Sequence, residues 1–300
     1  MSKYLRGVEH FVAVKMVGGL GNQLFCYFAG LFLSQTTNTK LYLDLTDIRS
    51  GRSKHKVSIE SFYLDAYVYS DEVNLFNRLQ QLTQRLIRIF RIRFINREFH
   101  FISQEVGYDS RVKSLKPPVY LEGYFQTYRY FSQITPPASI LRLREPSNWF
   151  LDLEAAVKNR PFISIHVRRG DYRQHNSTYG LLSREYYASC LSHPEVTATK
   201  LPIYVFSDEI QEAKKVLRGL VPKSTIWINA NQTPDPAEEL VLMSLASINI
   251  IANSTFSWWA ASLGQKSKKV FAPKKWFRAM DDPIDIYPPH WNLIESQWEN

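Results

Sequence analysis

Short apolar runs alternate along the chain with longer stretches in which apolar residues recur at helical spacing. An apolar run of about four to eight residues bounded by polar ones predicts a strand buried on both faces of a sheet. Alternation of such strands with helices is typical of parallel sheets wrapped by helices, so we predict an α/β fold. The predicted strands are residues 11–17, 40–43, 119–123, 162–166, 203–206, 224–228, 249–252 and 269–272.

The clearest interruption of this pattern lies between residues 134 and 147, where prolines punctuate the chain. Prolines clustered between periodic segments indicate a connection and not a continuing element. We therefore predict two domains and a tryptophan-rich C-terminal segment that returns to the first domain. The predicted parts are residues 1–150, 151–272 and 273–300.

Composition agrees with a soluble globular protein. Of the 300 residues, 45% are hydrophobic and 14% aromatic, which is ample for a packed core. The two cysteines lie in segments of helical pattern and lack partners at metal-ligand spacing, so we expect neither a disulfide nor a metal site. No run approaches the ~18 apolar residues that span a bilayer, and Lys15 interrupts the N-terminal apolar run, unlike a signal peptide.

The formal net charge of +9 is concentrated in an arginine-rich run over residues 85–97. Apolar residues recur near helical spacing here, so residues 71–90 are predicted to form an amphipathic helix with a basic face. Such a face is either solvated or attracted to an anionic membrane surface. Nucleic acid is not an expected partner, because the run lacks the signature of a nucleic-acid-binding fold.

The predicted strand 162–166 ends abruptly in charged residues. His166 is followed by Arg168, Arg169 and Asp171. Open α/β sheets bind ligands at the carboxyl ends of their strands, and a guanidinium can hold two phosphate oxygens at once. These residues therefore predict an anion-binding site; the alternative is a surface ion pair between the arginines and Asp171.

The same residues carry a family resemblance. The stretch His166-x-Arg168-Arg169-x-Asp171 resembles the first signature of the α1,2/α1,6-fucosyltransferase superfamily, whose members use GDP-fucose. Three further stretches resemble the bacterial α1,2-fucosyltransferases of glycosyltransferase family 11, and with the first they extend from about residue 14 to residue 261. These are Gly-Gly-Leu-Gly-Asn-Gln-Leu-Phe at 18–25, Glu-Gly-Tyr-Phe-Gln at 122–126, and Asn-Ser-Thr-Phe-Ser-Trp-Trp-Ala-Ala at 253–261.

The resemblance implies a GT-B-like fold, in which two Rossmann-type α/β domains face a cleft and the second domain holds most of the donor nucleotide. Within that domain, the strand at 249–252 leads into a predicted helix. A helix N-terminus favours phosphate, although a hydroxyl there can also serve only as an N-cap. The residues that open this helix are Asn253, Ser254, Thr255, Phe256 and Ser257.

Glu239 lies in a stretch that resembles an acidic-leucine-methionine-serine run of the family, which usually has aspartate there. A buried carboxylate can accept hydrogen bonds from both N1–H and the 2-amino group of guanine, which would select a guanine nucleotide. Asp208, at the end of the strand 203–206, is the alternative for this role. His166 is a candidate for contacts with the base or ribose, or else a structural histidine of the sheet.

The glycine-rich loop after the first predicted strand is expected to turn tightly and to expose Asn22 and Gln23 to sugar hydroxyls. Tyr124 and Gln126 are expected to join them on the acceptor side. Asn22 can alternatively cap a helix. A dinucleotide site is a third reading of this loop, with Asp44 at the next strand end, but Leu24 replaces the third glycine of that fingerprint.

No Asp-x-Asp motif is present, so cationic groups, with Arg168 foremost, are expected to neutralise the leaving diphosphate without a metal or other cofactor. Asp171 is expected to orient Arg168 or to act as a base. The combined prediction is a cytoplasmic enzyme that inverts GDP-β-L-fucose and transfers fucose to the 2-hydroxyl of a terminal β-galactose, with peripheral membrane contact left open. The alternatives are a non-catalytic sugar- or nucleotide-binding protein and an NAD-dependent enzyme.

Overall fold

The computed structural model describes residues 10–69, 99–134, 141–229, 233–263 and 268–299. The chain divides into two compact units. The first unit consists of Met1–Val57 and Leu64–Ile134, and the second of Ser58–Tyr63 and Thr135–Asn300. Each unit is built on its own parallel β-sheet, which agrees with the predicted GT-B-like α/β class.

The sheet of the first unit has five strands in the order β3-β2-β1-β5-β4. Every neighbouring pair is parallel. The strand order breaks between β1 and β5, because the chain leaves β1 toward β2 and returns later on the other side. The strands are β1 (Phe11–Lys15), β2 (Lys40–Asp44), β3 (Tyr67–Tyr69), β4 (His100–Ile102) and β5 (Val119–Glu122).

One long helix, α1 (Leu20–Thr37), covers one face of this sheet. It is apolar on nearly every side, as expected for a helix buried between a sheet and a further layer. Gly30 allows the close approach, since a Cβ there would lie 2.7 Å from Leu41 and 3.2 Å from Val14. The remaining helical segments described in this unit are short: α2 (Thr46–Arg49) and three-residue 3₁₀ turns at Val112–Ser114 and Phe131–Gln133.

The second unit has a six-stranded parallel sheet in the order β11-β10-β9-β6-β7-β8. Its central strands are buried along their whole length, and Ile165, Val205, Ile250 and Phe271 form part of one core. The strand order breaks between β6 and β9. The strands are β6 (Ile163–Val167), β7 (Ile203–Ser207), β8 (Ile226–Asn229), β9 (Ile248–Ile250), β10 (Lys269–Pro273) and β11 (Asn292–Ile294).

Helices connect most of these strands in a doubly wound pattern. Two 3₁₀ segments, Ile59–Ser61 and Gly170–His175, also belong to this unit. The helices are α3 (Asn148–Val157), α4 (Arg184–Leu191), α5 (Pro194–Thr197), α6 (Ile210–Val216), α7 (Pro236–Ser244) and α8 (Thr255–Ser262).

Each strand predicted from an apolar run overlaps an observed strand, so that part of the α/β prediction is confirmed. The sequence missed β3, β4 and β11. Each has only three residues, too few for a periodic pattern to stand out.

The predicted division of the chain needs two corrections. The units part at residue 134 and not near 150, because α3 belongs to the second unit, where its N-cap Ser147 bonds to Glu238 of α7. The C-terminal segment, predicted to return to the first domain, is grouped with the second unit. It adds β11 to the edge of the second sheet, beside β10.

The amphipathic helix predicted for residues 71–90 and the arginine-rich run lie outside the described residues. Within the described ranges, no helix is long and apolar enough to cross a membrane. Both cysteines, Cys26 and Cys190, are buried and free.

Candidate functional site

Polar residues gather where β6 ends in the second sheet, next to the break in strand order. Arg168 follows β6 directly and is held by two carboxylates. Its guanidinium lies 2.8 Å from Asp208 at the end of β7 and donates to Asp171 at 2.5 Å. Burial opposes its charge, but Asp208 and Asp171 outweigh burial and raise the pKa of Arg168. A fully charged arginine is therefore fixed at the carboxyl edge of the sheet.

The side chain of Arg169 points to the opposite side of the chain from that of Arg168. Its side chain is buried, donates to the carbonyl of Leu182 at 3.0 Å and pairs with Glu299 at 2.9 Å. Its backbone N–H donates to Asp208 at 2.9 Å. Arg169 is therefore turned into the protein body while Arg168 stays at the sheet edge, as alternation along an extended chain predicts. That Arg168 is the one that meets the ligand stays a prediction.

Asp208 ties the two arginines together. One of its carboxylate oxygens accepts from the Arg169 N–H and the other pairs with Arg168. A Cβ on Gly170 would lie 2.5 Å from that second oxygen, so only glycine leaves room for the carboxylate. Asp208 therefore holds the two arginines in position.

His166 is buried in β6 with its ring 5.8 Å from that of Phe256. Burial, assisted by the charge of Arg168, lowers the pKa of His166 to about 3, so the ring is neutral at physiological pH. Its Nδ1 is buried without a hydrogen-bond partner in this structure, as is Nε of Arg168. Unpaired buried polar atoms are costly, and two of them at one strand end indicate a site built for a polar ligand.

Two adjacent glutamates of α7 have separate roles. Glu238 accepts from the backbone N–H of Ser147 at 2.5 Å and from its hydroxyl at 2.7 Å, which fastens α3 to α7. Glu239 is 2% exposed and accepts only a long bond, 3.3 Å, from Thr233 among the hydrogen bonds resolved here. Burial, with a smaller effect from Asp208, raises the pKa of Glu239 to about 8.

The loop before α8 is held by internal hydrogen bonds. The amide of Asn253 donates to the carbonyls of Tyr179, Gly180 and Trp276, and the hydroxyl of Ser257 donates to Ala252 and Ser254. The Asn253 Nδ2 and the Ser257 hydroxyl therefore hold this loop in shape.

Ser254 occupies the N-cap position of α8, but its side chain makes no capping hydrogen bond. The side chain of Ser254 therefore does not act as a helix cap in this structure. Thr255 and Phe256 are partly exposed in the first turn. The first N–H groups of a helix lack partners within the helix, so this end offers donors with a favourable dipole for an anion.

Tyr172 completes the surroundings of Arg168, although the sequence did not single it out. Its ring lies 5.3 Å from the Arg168 guanidinium carbon, and its hydroxyl donates to the carbonyl of Asn253 at 2.9 Å. It thereby links the loop after β6 to the loop before α8. The sequence could have indicated Tyr172, because it is an aromatic residue directly after the charged end of a predicted strand. Glu299, the partner of Arg169, had no such indication because it is distant in sequence.

The residues predicted for the acceptor side belong to the first unit. Gln126 donates to the side-chain oxygen of Asn22 at 3.0 Å, and Tyr124 is 48% exposed. Gln23 corrects the expectation of exposure: it is fully buried, and its amide donates to the carbonyls of Gly18 and Lys56 at 2.9 and 2.8 Å. It holds the glycine-rich loop in place instead.

Asp44 is the candidate ribose ligand of the dinucleotide alternative, and its carboxylate is already hydrogen-bonded within the protein. Its carboxylate accepts from the hydroxyl of Tyr120 at 2.7 Å and from the backbone N–H of Thr46 at 2.9 Å. Among the described residues, no group of His, Cys, Asp and Glu side chains is arranged to hold a metal ion.

Two curated relatives resemble the chain over nearly their whole length. An alpha-1,2-colitosyltransferase of Escherichia coli is 27% identical over 301 residues, which covers 95% of this chain and 99% of the relative. The O-antigen biosynthesis glycosyltransferase WbnK of Escherichia coli is 27% identical over 287 residues, covering 87% and 93%.

Similar solved structures show the same fold. A structure of the alpha-1,6-fucosyltransferase NodZ soaked with GDP-fucose has a TM-score of 0.52 at 15% identity and covers 92% of this chain and 100% of NodZ. A family 9 glycosyl transferase from Veillonella parvula has a TM-score of 0.52 at 10% identity, with coverage of 96% and 86%. At these identities the likeness concerns the fold alone.

The sequence model of one family matches most of the chain. It is glycosyl transferase family 11, and the match spans residues 72–295, which include the strand ends and the α8 loop described above. The protein therefore belongs to glycosyl transferase family 11.

Proposed function

We propose that this glycosyltransferase transfers L-fucose from GDP-β-L-fucose to the 2-hydroxyl of a terminal β-galactose, with inversion at the anomeric carbon. The observation that carries the proposal is the charged Arg168, fixed by Asp208 and Asp171 at the break in strand order of the second sheet. Cationic groups at this position are suited to a diphosphate.

The buried Glu239 supports guanine as the base. Its carboxylate is kept away from water, and the charges of Asp208 and Arg168 both affect its pKa, which supports a common site for the three residues. A carboxylate offers two acceptor oxygens, which match the two adjacent donors of guanine. Asp208 is a weaker candidate for this contact, because it is already bound to Arg168 and Arg169.

In the proposed reaction, a bond forms between O2 of galactose and C1 of fucose while the bond from C1 to the diphosphate oxygen breaks. GDP leaves with additional negative charge, and the galactose hydroxyl releases its proton. Arg168 and the N-terminus of α8 stabilise the charge that develops on the diphosphate. Asp171 is bound to Arg168 and half exposed, which favours an orienting role over that of a base.

Colitose is the second candidate for the transferred sugar. The observation that favours it is the 27% identity to an alpha-1,2-colitosyltransferase over 95% of this chain. Colitose is L-fucose without the 3-hydroxyl, so the same diphosphate and guanine contacts would serve both donors. The two donors differ only at the 3-position of the sugar, and the residues around Arg168 do not distinguish between them.

The direct test is to incubate the protein with GDP-fucose or GDP-colitose and a series of β-galactosides. We expect a fucosylated product with the new linkage at the 2-hydroxyl and release of GDP. Higher kcat/KM with GDP-colitose would select the second candidate. GDP binding without turnover of either donor would instead favour a non-catalytic binding protein.

Activity in that assay is expected to survive excess EDTA. The sequence lacks an Asp-x-Asp motif, and Arg168 together with the α8 N-terminus supplies positive charge where the diphosphate departs. The measurement is the initial rate of GDP release before and after chelation. Complete loss of activity, restored by manganese or magnesium, would contradict this role for the two groups.

Replacing Gly170 with alanine is expected to lower kcat by about 10²-fold, since small displacements of catalytic groups have effects of this size. The new Cβ would lie 2.5 Å from the Asp208 carboxylate and displace it from Arg168. Gly219→Ala is the comparison: a Cβ there meets no atom within 4 Å, and the φ of +72° means that this variant strains the backbone without touching Asp208. Equal rates for the two variants would show that Asp208 need not hold Arg168.

We propose a cytoplasmic location, where nucleotide sugars are made, and a galactose-terminated glycan as the acceptor. The name of WbnK, an O-antigen biosynthesis glycosyltransferase, supports a surface polysaccharide as the destination. Peripheral contact with an anionic membrane stays a prediction, since the arginine-rich run lies outside the described residues.

A further inference from the structure

A second group of polar residues lies at the carboxyl edge of the first unit's sheet, whereas the residues assigned to the donor belong to the second unit. The strand order of this sheet breaks between β1 and β5, as that of the second sheet breaks between β6 and β9. Parallel α/β sheets bind ligands beyond the strand ends at such breaks. The second unit has its proposed ligand site at this place, and the sheet of the first unit has a break of the same kind beside its first strand.

The two strands that flank the break end in opposite charges. Lys15 is the last residue of β1 and Glu122 the last of β5, and their side chains are 2.8 Å apart. Lys15 also lies 3.2 Å from Asp47, and Glu122 lies 3.1 Å from the ring of His100. The side chains of Lys15 and Glu122 are 25% and 32% exposed, so both are accessible to a small polar ligand.

Both groups are charged at neutral pH. Burial lowers the pKa of Lys15, but Glu122 and Asp47 outweigh burial and raise it. Burial raises the pKa of Glu122, but Lys15 and His100 outweigh burial and lower it. A partly buried ion pair adds little stability over apolar residues of similar size, so stability alone gives a weak reason for charges at these strand ends.

An independent observation in the same two loops indicates a missing partner. Gln126, in the loop after β5, donates to Asn22 in the first turn of α1, and so connects the loops that follow the two flanking strands. Gln126 is 6% exposed, and its side-chain carbonyl oxygen is buried without a hydrogen-bond partner. A buried acceptor of this kind is satisfied by a ligand that brings a donor, such as a hydroxyl group.

A pyranose ring presents hydroxyls that both donate and accept hydrogen bonds. A carboxylate accepts from one hydroxyl, and an ammonium group, which has three N–H donors, gives to its neighbour. Aromatic rings lie beside Glu122: its neighbour His100 packs edge-on against the ring of Tyr120 at 5.2 Å. Charged groups beside aromatic rings suit the hydroxyls and the apolar face of a sugar.

We propose that Lys15 and Glu122 bind adjacent hydroxyls of the acceptor saccharide at the break in strand order of the first sheet, with Gln126 accepting a further hydroxyl. The proposal rests on the function proposed above and names two acceptor-binding residues that it does not contain. It requires a neutral sugar ligand, because the pair itself is close to neutral.

The test uses the isosteric variants Glu122→Gln and Lys15→Met of the full chain, with methyl β-D-galactoside as the probe. Saturation-transfer NMR in the presence of GDP measures whether the galactoside binds, and kinetics measures its KM where turnover occurs. We expect each variant to weaken galactoside binding by about 10-fold or more. GDP affinity by calorimetry, and the rate of donor hydrolysis without an acceptor, should stay at the wild-type values.

Two controls separate binding from a structural role. Glu195→Gln breaks a comparable ion pair with Lys269, whose glutamate is 37% exposed, in the second unit, and should leave galactoside binding unchanged. The double variant Lys15→Met, Glu122→Gln removes both charges and leaves neither of them unpaired. If the pair only stabilises the fold, the double variant regains both thermal stability and galactoside binding relative to the single variants; if the pair binds the sugar, stability returns and binding does not.

The outcomes are distinct from those that test the donor. Failure of GDP-fucose hydrolysis and of transfer in the wild type would contradict the proposed function, while galactoside binding by NMR would still support this subsite. The inference is overturned if the wild-type protein binds no galactoside, if both single variants bind it normally, or if the double variant Lys15→Met, Glu122→Gln regains binding.

Discussion

Replacement of Arg168 by alanine is expected to reduce kcat for sugar transfer by about 10²–10³ while the protein stays folded, because a lost contact to developing charge has this effect. The guanidinium is held by Asp208 and Asp171 at the strand end and is only partly buried, so its removal opens no large cavity in the core. Initial rates at saturating donor, with the melting temperature measured in parallel, would show this separation.

Arg169 provides the contrasting variant. Its side chain is buried and bound to Glu299 and to the carbonyl of Leu182, so alanine there removes a buried side chain and leaves the buried Leu182 carbonyl unpaired, which should mainly lower the melting temperature. Arg173→Ala is the surface control, since Arg173 pairs with glutamates of the α6 region and is 45% exposed. Loss of activity in Arg173→Ala equal to that in Arg168→Ala would contradict a specific role for Arg168.

The sequence was informative about this strand because two simple periodicities act together. A fully apolar strand that ends in charges has to place those charges at the sheet edge, and alternation then separates Arg168 from Arg169. The apolar runs of the other central strands predicted the parallel sheets in the same way. The choice of Glu239 over Glu238 came from family resemblance, and the hydrogen bonds between Glu238 and Ser147 agree with that choice.

Contacts between distant parts of the chain were beyond reach of the sequence. Local pattern gave no reason to place Glu299 beside Arg169, or to assign the tryptophan-rich segment to the second sheet and not to the first unit. The exposure of Gln23 was misjudged for a related reason. A glycine-rich loop predicts a tight turn, but whether an amide in it faces water depends on the carbonyl of Lys56, which comes from a later loop.

The affinity for GDP is expected to increase as the pH rises from about 6 to 8 and then to level off. Burial raises the pKa of Glu239 to about 8, above the ordinary value of 4.5, so the unliganded protein holds a proton on this carboxyl at neutral pH. Guanine presents two donors and requires the ionised carboxylate, so binding releases that proton. Affinity coupled to the loss of one proton changes by up to about tenfold per pH unit below the pKa.

Replacing Glu239 by glutamine should remove this pH dependence and weaken GDP binding by about 10²-fold at pH 8, because the amide NH₂ meets a guanine donor in place of an acceptor. The preference for GDP over inosine diphosphate, which lacks the 2-amino group, should disappear in the same variant. Calorimetry at several pH values measures both effects.

Glu238→Gln is the matched control at the neighbouring position: it breaks the link to Ser147 and should lower the melting temperature but keep the pH slope. A wild-type affinity that does not change between pH 6 and 8, or a slope that persists in Glu239→Gln and vanishes in Asp208→Asn, would assign the guanine contact to Asp208 or elsewhere.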